Sequence, residues 1–398
     1  MAGKVSSHSM TSETEKCDVL LISASVGAGH NQAALAVRET LQAMRPDLVL
    51  RQMDSLDYVG PLFRRVYAGG YAMSVTRMPW LYGLGYRATD RPHRPGRGPT
   101  ELPRLWHERR ALAARLLPEL QRLAPRLIIH THFLAAPAIG RWIADGRLSA
   151  RQFVVVTDNE AHRWWFCEGV DRCFLPNEHA LQRLARWNIP ADRLTVSGIP
   201  IRPKWLVPHD RHTVLDQWNL PAGDIVLLSG GTEFTCGPIV RLARGLLAAC
   251  PRMTLVVLAG RNKALLARLS RLAQRDQRLR TVSFTDRLAE LTEACSLMIT
   301  KPGGVTTAEC LSKGVPMVLL KPVPGQEAAN ARYFQAEGAA ITTRSPGETI
   351  AVVRQLLADR ARLALLSANA RRLARPSAQI IAQAAIELLS RKPCDSAS

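Results

Sequence analysis

A glycine turn between an apolar run and a helix-like segment is the part of the sequence best suited to bind a charged ligand. The apolar run at residues 297–299 ends at Gly303 and Gly304, and the segment that follows carries Glu309. A helix that begins after glycines offers free N–H groups and the positive end of its dipole to a phosphate. Glu309 lies about one turn further on, where its carboxylate can accept a hydrogen bond from a ribose hydroxyl. The stretch therefore predicts a nucleotide site.

A second apolar run ends at polar residues that suit a sugar. Residues 317–320 form this run, and Gln326 and Glu327 stand in the Pro/Gly loop behind it. Their side chains can form hydrogen bonds with sugar hydroxyls. Ligands of an open α/β sheet bind at the carboxyl ends of its strands, so both loops are expected in one cleft. Together they predict a nucleotide-sugar pocket.

His30 is the candidate proton acceptor. It follows a buried-strand pattern at 19–23 and the loop 25–29, and it stands at the entry to a helical stretch. An unperturbed imidazole has a pKa of ~6.5, which suits acid–base chemistry near working pH. The residues alone leave two interpretations open, a structural cap or core residue and a catalytic group. The dinucleotide-binding fingerprint is incomplete here, because its third glycine is missing.

Further polar candidates follow two other apolar runs. Asp158 and His162 come after the run 153–156, and Asp158 is a candidate to orient a histidine or to act as a base. An ordinary turn residue is the alternative interpretation of Asp158. His130 and His132 share one face of a predicted strand, but a metal site needs a third ligand and no spacing supplies one. We therefore expect a cleft-lining or structural role for this pair and no bound metal.

Composition indicates a folded protein with an anionic partner. The 398 residues suggest two domains, the hydrophobic fraction is 47%, and the net charge is +20. Such a charge favours nucleic acid, anionic lipid or a phosphorylated substrate. The eight cysteines have no zinc-site spacing and are interpreted as free thiols. We expect neither a signal peptide nor a membrane-spanning segment, hence a soluble or peripheral protein.

The segment at residues 58–110 differs from its surroundings. It contains five of the six tyrosines, and between residues 60 and 110 ten arginines stand against three acidic residues. This mixture is typical of a membrane interface, of an RNA-binding surface, or of a basic loop over buried rings. Composition does not choose among the three. The run 91–99, rich in arginine, proline and glycine, predicts a mobile basic loop.

Three motifs together resemble one enzyme family. They are Gly-Gly with the helix Glu and Pro-Gly-Gln-Glu at 303–327, Ser-Val-Gly-Ala-Gly-His at 25–30, and Met-Pro-Trp-Leu-Tyr at 78–82. In this combination they resemble the diacylglycerol glycosyltransferases, which include monogalactosyldiacylglycerol synthase and are related to the lipid II-forming N-acetylglucosaminyltransferase. The resemblance covers residues 17 to 390 and is most specific in the second half.

The resemblance implies an α/β fold of the GT-B type, with two Rossmann-like domains facing a cleft. The expected domains are 17–202 for acceptor and membrane, and 222–390 for the UDP-sugar. Apolar runs place the second strand at 48–50, and residues 347–391 are expected to form two helices, the last crossing back to the first domain. The expected reaction is inverting transfer of a hexose from a UDP-sugar to diacylglycerol, by a peripheral enzyme at the cytoplasmic face of the membrane.

The resemblance also assigns site residues. His30 is implied as the catalytic residue that activates the acceptor, with Asp158 as its candidate helper. Those implied for the donor are Ser229, Gly230, Gly231, Phe284, Gly303, Gly304, Thr306, Glu309, Gln326 and Glu327. Those implied for the acceptor or the membrane are Gly29, Arg64, Arg65, Trp80, Tyr82, His132 and His162. No cofactor or metal is expected, because no Asp-x-Asp motif stands in a suitable loop.

Three other functions remain open at this point. A lipid II-forming transferase would share the donor site, but the loop 25–30 and the segment 78–82 argue against it. A non-catalytic nucleic-acid-binding protein would use the basic surface, but no ordered basic and aromatic spacing supports it, and we expect no nucleic acid partner. A UDP-sugar epimerase would share the donor and the fold.

Overall fold

A computed structural model shows two parallel β-sheets, each covered by helices on both faces. The structure describes residues 16–65, 67, 79–90, 105–187, 189–230 and 238–391. The predicted donor residue Gly231 and the predicted basic loop 91–99 lie outside these ranges.

The first sheet has six parallel strands in the order β2-β1-β3-β4-β5-β6. They are β1 (Val19–Ser23), β2 (Leu50–Asp54), β3 (Leu127–His130), β4 (Arg151–Val155), β5 (Arg172–Leu175) and β6 (Leu194–Val196). The central strands are apolar runs because helices cover both of their faces. Edge strand β2 has only two apolar residues, Leu50 and Met53, so the apolar run at 48–50 located it too early.

The second sheet repeats this architecture in the order β12-β11-β10-β7-β8-β9. Its strands are β7 (Asp224–Ser229), β8 (Met253–Gly260), β9 (Leu279–Ser283), β10 (Leu297–Thr300), β11 (Met317–Leu319) and β12 (Ala340–Thr342). The order reverses beside β7 and β10, as it does beside β1 and β3 in the first sheet. Such reversals are where α/β sheets open a ligand crevice.

The helices described follow the strands in alternation. The first half has α1 (Gly29–Met44), α2 (Pro79–Thr89), α3 (Leu105–Leu123), α4 (Ala136–Ala144) and α5 (Glu178–Ala185). From the connection onward there follow α6 (Arg211–Gln217), α7 (Ile239–Ala249), α8 (Lys263–Ala273), α9 (Leu288–Glu293), α10 (Gly304–Lys313), α11 (Gln326–Ala336), α12 (Pro346–Ala358), α13 (Arg360–Leu373) and α14 (Ser377–Ser390). The α/β class predicted from the alternation is confirmed.

The chain ends on the half where it began. In α14, Ile381 and Ala385 pack in the same apolar core as Val19 and Leu127 of the first sheet. The expected return of the last helix is therefore confirmed, although residues 347–391 hold three helices rather than two. Asp359 separates two of them, since it ends α12 and caps α13 by accepting from the backbone N–H of Arg362. The domain limits 17–202 and 222–390 stay a prediction.

Helix α4 packs closely on the loop before β5. A Cβ at Gly140 would lie 2.6 Å from the carbonyl oxygen of Glu168, whereas a Cβ at Gly85 of α2 would meet nothing within 4 Å. A rigid backbone oxygen cannot move aside as a side-chain end can. The packing of α4 therefore requires glycine at position 140.

We predict that Gly140→Ala lowers the free energy of unfolding by about 1–3 kcal/mol, because the new methyl group overpacks the contact. The matched variant Gly85→Ala should be neutral or stabilising by up to about 1 kcal/mol, since alanine favours helix and the space is open. Thermal unfolding of both variants measures the difference. Equal stability of the two variants would show that the contact with Glu168 relaxes freely.

Candidate active site

The amino-terminal ends of two helices meet where the two halves face each other. A Cβ on Gly29, the first residue of α1, would lie 3.7 Å from a methyl group of Val305 in the first turn of α10. A Cβ on Gly304 would overlap the carbonyl oxygen of Thr157, which follows β4. Each helix directs free N–H groups and a positive dipole end to this place. The meeting point is therefore suited to an anionic group.

His30, the second residue of α1, is held at this meeting point. Its Nδ1 lies 2.9 Å from the backbone oxygen of Thr131 and 2.9 Å from the hydroxyl of Thr157, and the Thr131 hydroxyl donates to the His30 carbonyl oxygen. A carbonyl oxygen only accepts, so Nδ1 carries the proton and donates it to Thr131. The neutral ring then has its lone pair on Nε2, which is the atom that can take a proton.

Burial keeps the His30 imidazole uncharged. Desolvation lowers the pKa of His30 to about 4, and the hydrogen bond to Thr131 opposes that shift. Desolvation disfavours the charged form of a base, so the ring is neutral at pH 7. The uncharged ring can accept a proton there.

Asp158 and His30 both lie close to the indole of Trp165. Burial raises the pKa of Asp158 to about 7, and a hydrogen bond from the Trp165 side chain opposes the rise. The Trp165 ring centroid is 6.0 Å from that of His30. Asp158 and His30 therefore share Trp165 as a neighbour, while Nδ1 of His30 is oriented by Thr131 and Thr157.

The other predicted histidines are buried and already bonded. Nδ1 of His132 accepts from the Leu134 N–H at 3.2 Å, and its ring lies 4.7 Å from that of His30. Nε2 of His162 donates to the Tyr86 carbonyl oxygen at 2.9 Å. Burial lowers the pKa of both histidines. His132 thus packs behind His30, and His162 fastens helix α2.

Helix α2 crosses from the first half to the sugar-binding loop predicted in the second. A Cβ on Gly83 would lie 2.5 Å from Pro324, and one on Gly325, which has a φ of +105°, would lie 2.7 Å from the Tyr82 ring. The Tyr82 hydroxyl is 3.4 Å from Oε1 of Gln326. Helix α2 therefore closes over one side of the cleft.

The opposite face of α2 exposes large apolar side chains. Trp80, Leu81 and Leu84 are 63%, 48% and 52% exposed. Arg64 and Arg65 are exposed as well, and Arg64 forms an ion pair with Asp57 at 2.8 Å. No helix in the described part of the chain is long and apolar enough to cross a bilayer.

The predicted donor residues gather at the carboxyl edge of the second sheet. Ser229 ends β7 and Gly230 follows it, while Gly303 and Thr306 stand at the start of α10. Burial raises the pKa of Glu309 to about 8, although Lys204 and Arg202 oppose the rise. The structure thus brings these groups to one edge of the sheet. Without a bound ligand, the Glu309 carboxyl favours its protonated form at pH 7.

The residues predicted to bind the sugar and the nucleobase lie on either side of the donor residues that follow β7 and β10. Glu327 receives the Val323 N–H at 3.0 Å, and its other carboxylate oxygen lies 3.4 Å from Nζ of Lys301. Phe284 follows β9 and is 61% exposed, with the Arg261 guanidinium 4.8 Å from its ring centroid. An exposed ring beside a cation can stack on a base.

Sequence reasoning missed a buried amide network that joins the halves. Oδ1 of Asn330 accepts from the backbone N–H of Asn159 at 2.7 Å, and its Nδ2 donates to the Pro302 carbonyl oxygen at 2.9 Å. Nδ2 of Asn177 donates to the Asn159 carbonyl oxygen at 2.9 Å. Asn330 lies one helical turn after Gln326, and this spacing was a signal that could have found it. The network connects the loop of Asp158 to the loop before Gly303.

Several buried polar groups have no hydrogen-bond partner among the described residues. They include the Tyr86 hydroxyl and Nδ2 of Asn159. Buried polar groups are normally paired, so an unpaired one is a candidate ligand contact. In the described ranges no three His, Cys, Asp or Glu side chains converge in a metal-binding arrangement.

Two family profiles match the two halves of the chain. The profile of monogalactosyldiacylglycerol (MGDG) synthase matches residues 30–201, and that of the glycosyltransferase family 28 C-terminal domain matches residues 238–383. Neither profile alone covers half of the chain, but together they span most of it. The chain is a glycosyltransferase, as the three motifs predicted.

Individual relatives of this glycosyltransferase agree with the profiles. A Bacillus cereus (strain B4264) protein named processive diacylglycerol beta-glucosyltransferase is 28% identical over 351 residues, 87% of each chain. The solved structure of Anabaena HepE in complex with UDP has a TM-score of 0.56 at 16% identity, covering 94% of this chain and 99% of HepE. Acinetobacter baumannii MurG has a TM-score of 0.62 at 16% identity, covering 93% and 99%. These likenesses confirm the predicted GT-B fold.

We predict that Glu309→Gln stabilises the protein at pH 8 by about 1–3 kcal/mol. The pKa of about 8 in the folded state lies above the ordinary glutamate pKa of 4.5. The free energy of unfolding therefore falls as the pH rises from 4.5 through 8, and a neutral amide removes that loss. Thermal unfolding at pH 5 and pH 8 measures it, with exposed Glu387→Gln as the control.

The gain should be large at pH 8 and small at pH 5, and Glu387→Gln should change stability by less than about 0.5 kcal/mol at either pH. A Glu309→Gln protein that is less stable than the parent at pH 8 would contradict a protonated, desolvated carboxyl at this position.

Proposed function

We propose that this glycosyltransferase transfers a hexose from a UDP-sugar to diacylglycerol, with inversion at the transferred carbon. The observation that carries the proposal is the meeting of α1 and α10. It brings a neutral imidazole with a free Nε2 beside a glycine-led helix start, so a proton acceptor and a phosphate site share one cleft.

The relatives support the donor and the acceptor by name. Diacylglycerol stands in the name of the Bacillus cereus protein, which matches 87% of this chain. HepE was solved with UDP bound, and in a further structure with UDP-glucose, with a TM-score of 0.53 to this chain. The fold therefore accommodates a UDP-sugar in a neighbouring protein.

We assign the donor to the carboxyl edge of the second sheet. The diphosphate would bind the N–H groups at Gly303 and Gly304, with Ser229 and Gly230 alongside, and no metal ion is required because the helix start supplies positive potential. Glu309 would bond the ribose, and Phe284 would stack on uracil. Gln326 and Glu327 would bond the hexose.

The chemical step needs one proton acceptor and one stabilised leaving group. The acceptor hydroxyl oxygen forms the bond to the anomeric carbon while the bond from that carbon to the phosphate oxygen breaks. Nε2 of His30 takes the hydroxyl proton, and UDP leaves with the electron pair. The start of α10 stabilises the charge that develops on UDP. Attack opposite the leaving group inverts an α-linked donor to a β-linked product.

A bound diphosphate would prepare His30 for this role. Nearby negative charge favours imidazolium, so the donor would raise the low pKa of His30 toward neutrality. An ionised Asp158 beside Trp165 would act in the same direction. Proton acceptance would then become favourable once the donor is in place.

We place the reaction at a membrane surface, with the chain bound peripherally at the cytoplasmic face. The exposed Trp80, Leu81 and Leu84 of α2 suit insertion among lipid headgroups, since tryptophan and leucine on one helix face favour the interface. The buried face of the same helix lies on the sugar loop through Tyr82. A lipid approaching along α2 would therefore reach the donor side directly.

We predict that UDP is released from UDP-glucose or UDP-galactose only when diacylglycerol is present in mixed micelles. The two donors are compared separately, each also with EDTA, and release should persist with the chelator. A coupled UDP assay measures the rate. UDP binding without lipid-dependent release would move the acceptor elsewhere, and absence of UDP binding would overturn the proposed donor.

His30→Ala should lower the rate of lipid-dependent UDP release by roughly 10²–10⁴-fold, the usual contribution of a general base. Affinity for UDP, measured by calorimetry, should change little, because the donor is assigned to the other half. His179→Ala, at an exposed position on α5, is the control and should keep the parent rate. A His30→Ala enzyme with the parent rate would remove His30 from the mechanism.

A further inference from the structure

Helices α7 and α8 form a groove on the second half that is lined by arginines. Its volume is about 870 Å³, and Arg241, Arg244, Arg268, Arg271 and Arg275 line it together with apolar residues of both helices. Neither helix contains an acidic residue, and all five arginines are exposed. The groove therefore concentrates positive charge without a carboxylate in its described lining.

The spacing of the arginines works against the stability of the helices. Arg268 and Arg271 are three residues apart and share one face of α8, and Arg241 and Arg244 share a face of α7 in the same way. Arg275 follows in the turn just after α8. Like charges at these spacings repel one another. The helix dipole favours cations near the carboxyl end of α8, but Arg241 stands in the first turn of α7, where a cation is unfavourable. Folding therefore does not account for this pattern, whereas an anionic ligand does.

The position of the groove relates it to the membrane. One end of the groove is formed by Pro238 and Asn262, which follow the carboxyl ends of β7 and β8. Parallel strands end at one edge, so this end lies at the same sheet edge as the loop of Gly325 that contacts α2. A membrane that receives the apolar face of α2 would lie at the edge where the groove opens.

The chemistry of the lining favours phosphate groups of lipids over nucleic acid. Arginine binds phosphate in a bidentate manner, and each basic residue near an anionic leaflet strengthens membrane binding. Single-stranded nucleic acid is held by stacking on aromatic side chains, and the described residues of the lining include none.

We infer that the groove between α7 and α8 binds the headgroups of anionic phospholipids and is a second membrane contact, separate from α2. This inference rests on the proposed transfer to a membrane lipid. The groove orients the second half against the bilayer, while α2 attaches the first half. Tight membrane binding therefore requires a bilayer with net negative surface charge, whichever lipid accepts the sugar.

The test compares vesicle co-sedimentation of three proteins: the parent, the double variant Arg241→Glu/Arg268→Glu, and the control Arg354→Glu/Arg362→Glu. The control alters two exposed arginines of α12 and α13 outside the groove and changes net charge equally. Vesicles are pure phosphatidylcholine or phosphatidylcholine with phosphatidylglycerol, at low and at raised salt. Arg241→Gln/Arg268→Gln provides a milder form of the groove change.

The groove variant should bind the phosphatidylglycerol vesicles at least ~10-fold more weakly than the control, with the glutamine form between them, and the difference should shrink at high salt. Equal binding by groove and control variants would overturn the inference, because net charge alone would then explain attachment. Loss of binding to single-stranded RNA with unchanged vesicle binding would also overturn it, in favour of a nucleic-acid site.

The proposed reaction is checked separately in neutral detergent micelles that contain diacylglycerol and no anionic lipid. There the groove variant should release UDP at the parent rate and bind UDP with the parent affinity. Weaker UDP binding would overturn the inference by assigning the groove to the donor. No UDP release by the parent protein would count against the proposed function, whatever the vesicles show.

Discussion

The contact between Gly304 and the carbonyl of Thr157 is the constraint on which the rest of the site depends. No other residue permits this approach, because any Cβ would overlap the carbonyl oxygen. The contact brings the amino-terminal ends of α1 and α10 together and fixes His30 through the neighbouring Thr157 hydroxyl. Asn330 stabilises the same arrangement from behind by bonding one loop of each half. One close approach therefore places the proposed proton acceptor beside the proposed phosphate site.

Desolvation in the cleft acts on acids and bases in opposite directions. It keeps His30 neutral and therefore able to accept a proton, and it raises the pKa of Asp158 and Glu309 to about 7 and 8. Both effects lower stability over part of the pH range, the histidine at acid pH and the carboxyls at neutral pH. Sites that bind charged substrates commonly accept such a loss, because the ligand later supplies the missing interactions. The unpaired Tyr86 hydroxyl is a further instance.

Composition alone does not decide the role of the parts that we propose face the membrane. Aromatic and arginine content at 58–110 left membrane, nucleic acid and buried-ring interpretations open. The structure shows that α2 combines two of these features, since Tyr82 and Tyr86 face the cleft while Trp80 and Leu84 face outward. The arginines of α7 and α8 drew no attention in the sequence, because they lie in ordinary amphipathic helices. Their significance depends on the two helices lying side by side with no acid between them.

The sequence by itself determined the α/β class, the glycine turns at the strand ends, and the presence of Gly304 and Glu309 in the same helix. These features depend on local periodicity and on residues within one strand–helix unit. It misplaced β2 and merged two of the final helices, because an edge strand is half polar and a single capping aspartate ends one helix and begins the next. Only the tertiary structure decided which nitrogen of His30 is free, that His162 holds α2, and that Asn330 joins the halves. These depend on contacts between residues more than a hundred positions apart or on separate elements, and such contacts leave no periodic signal in the chain.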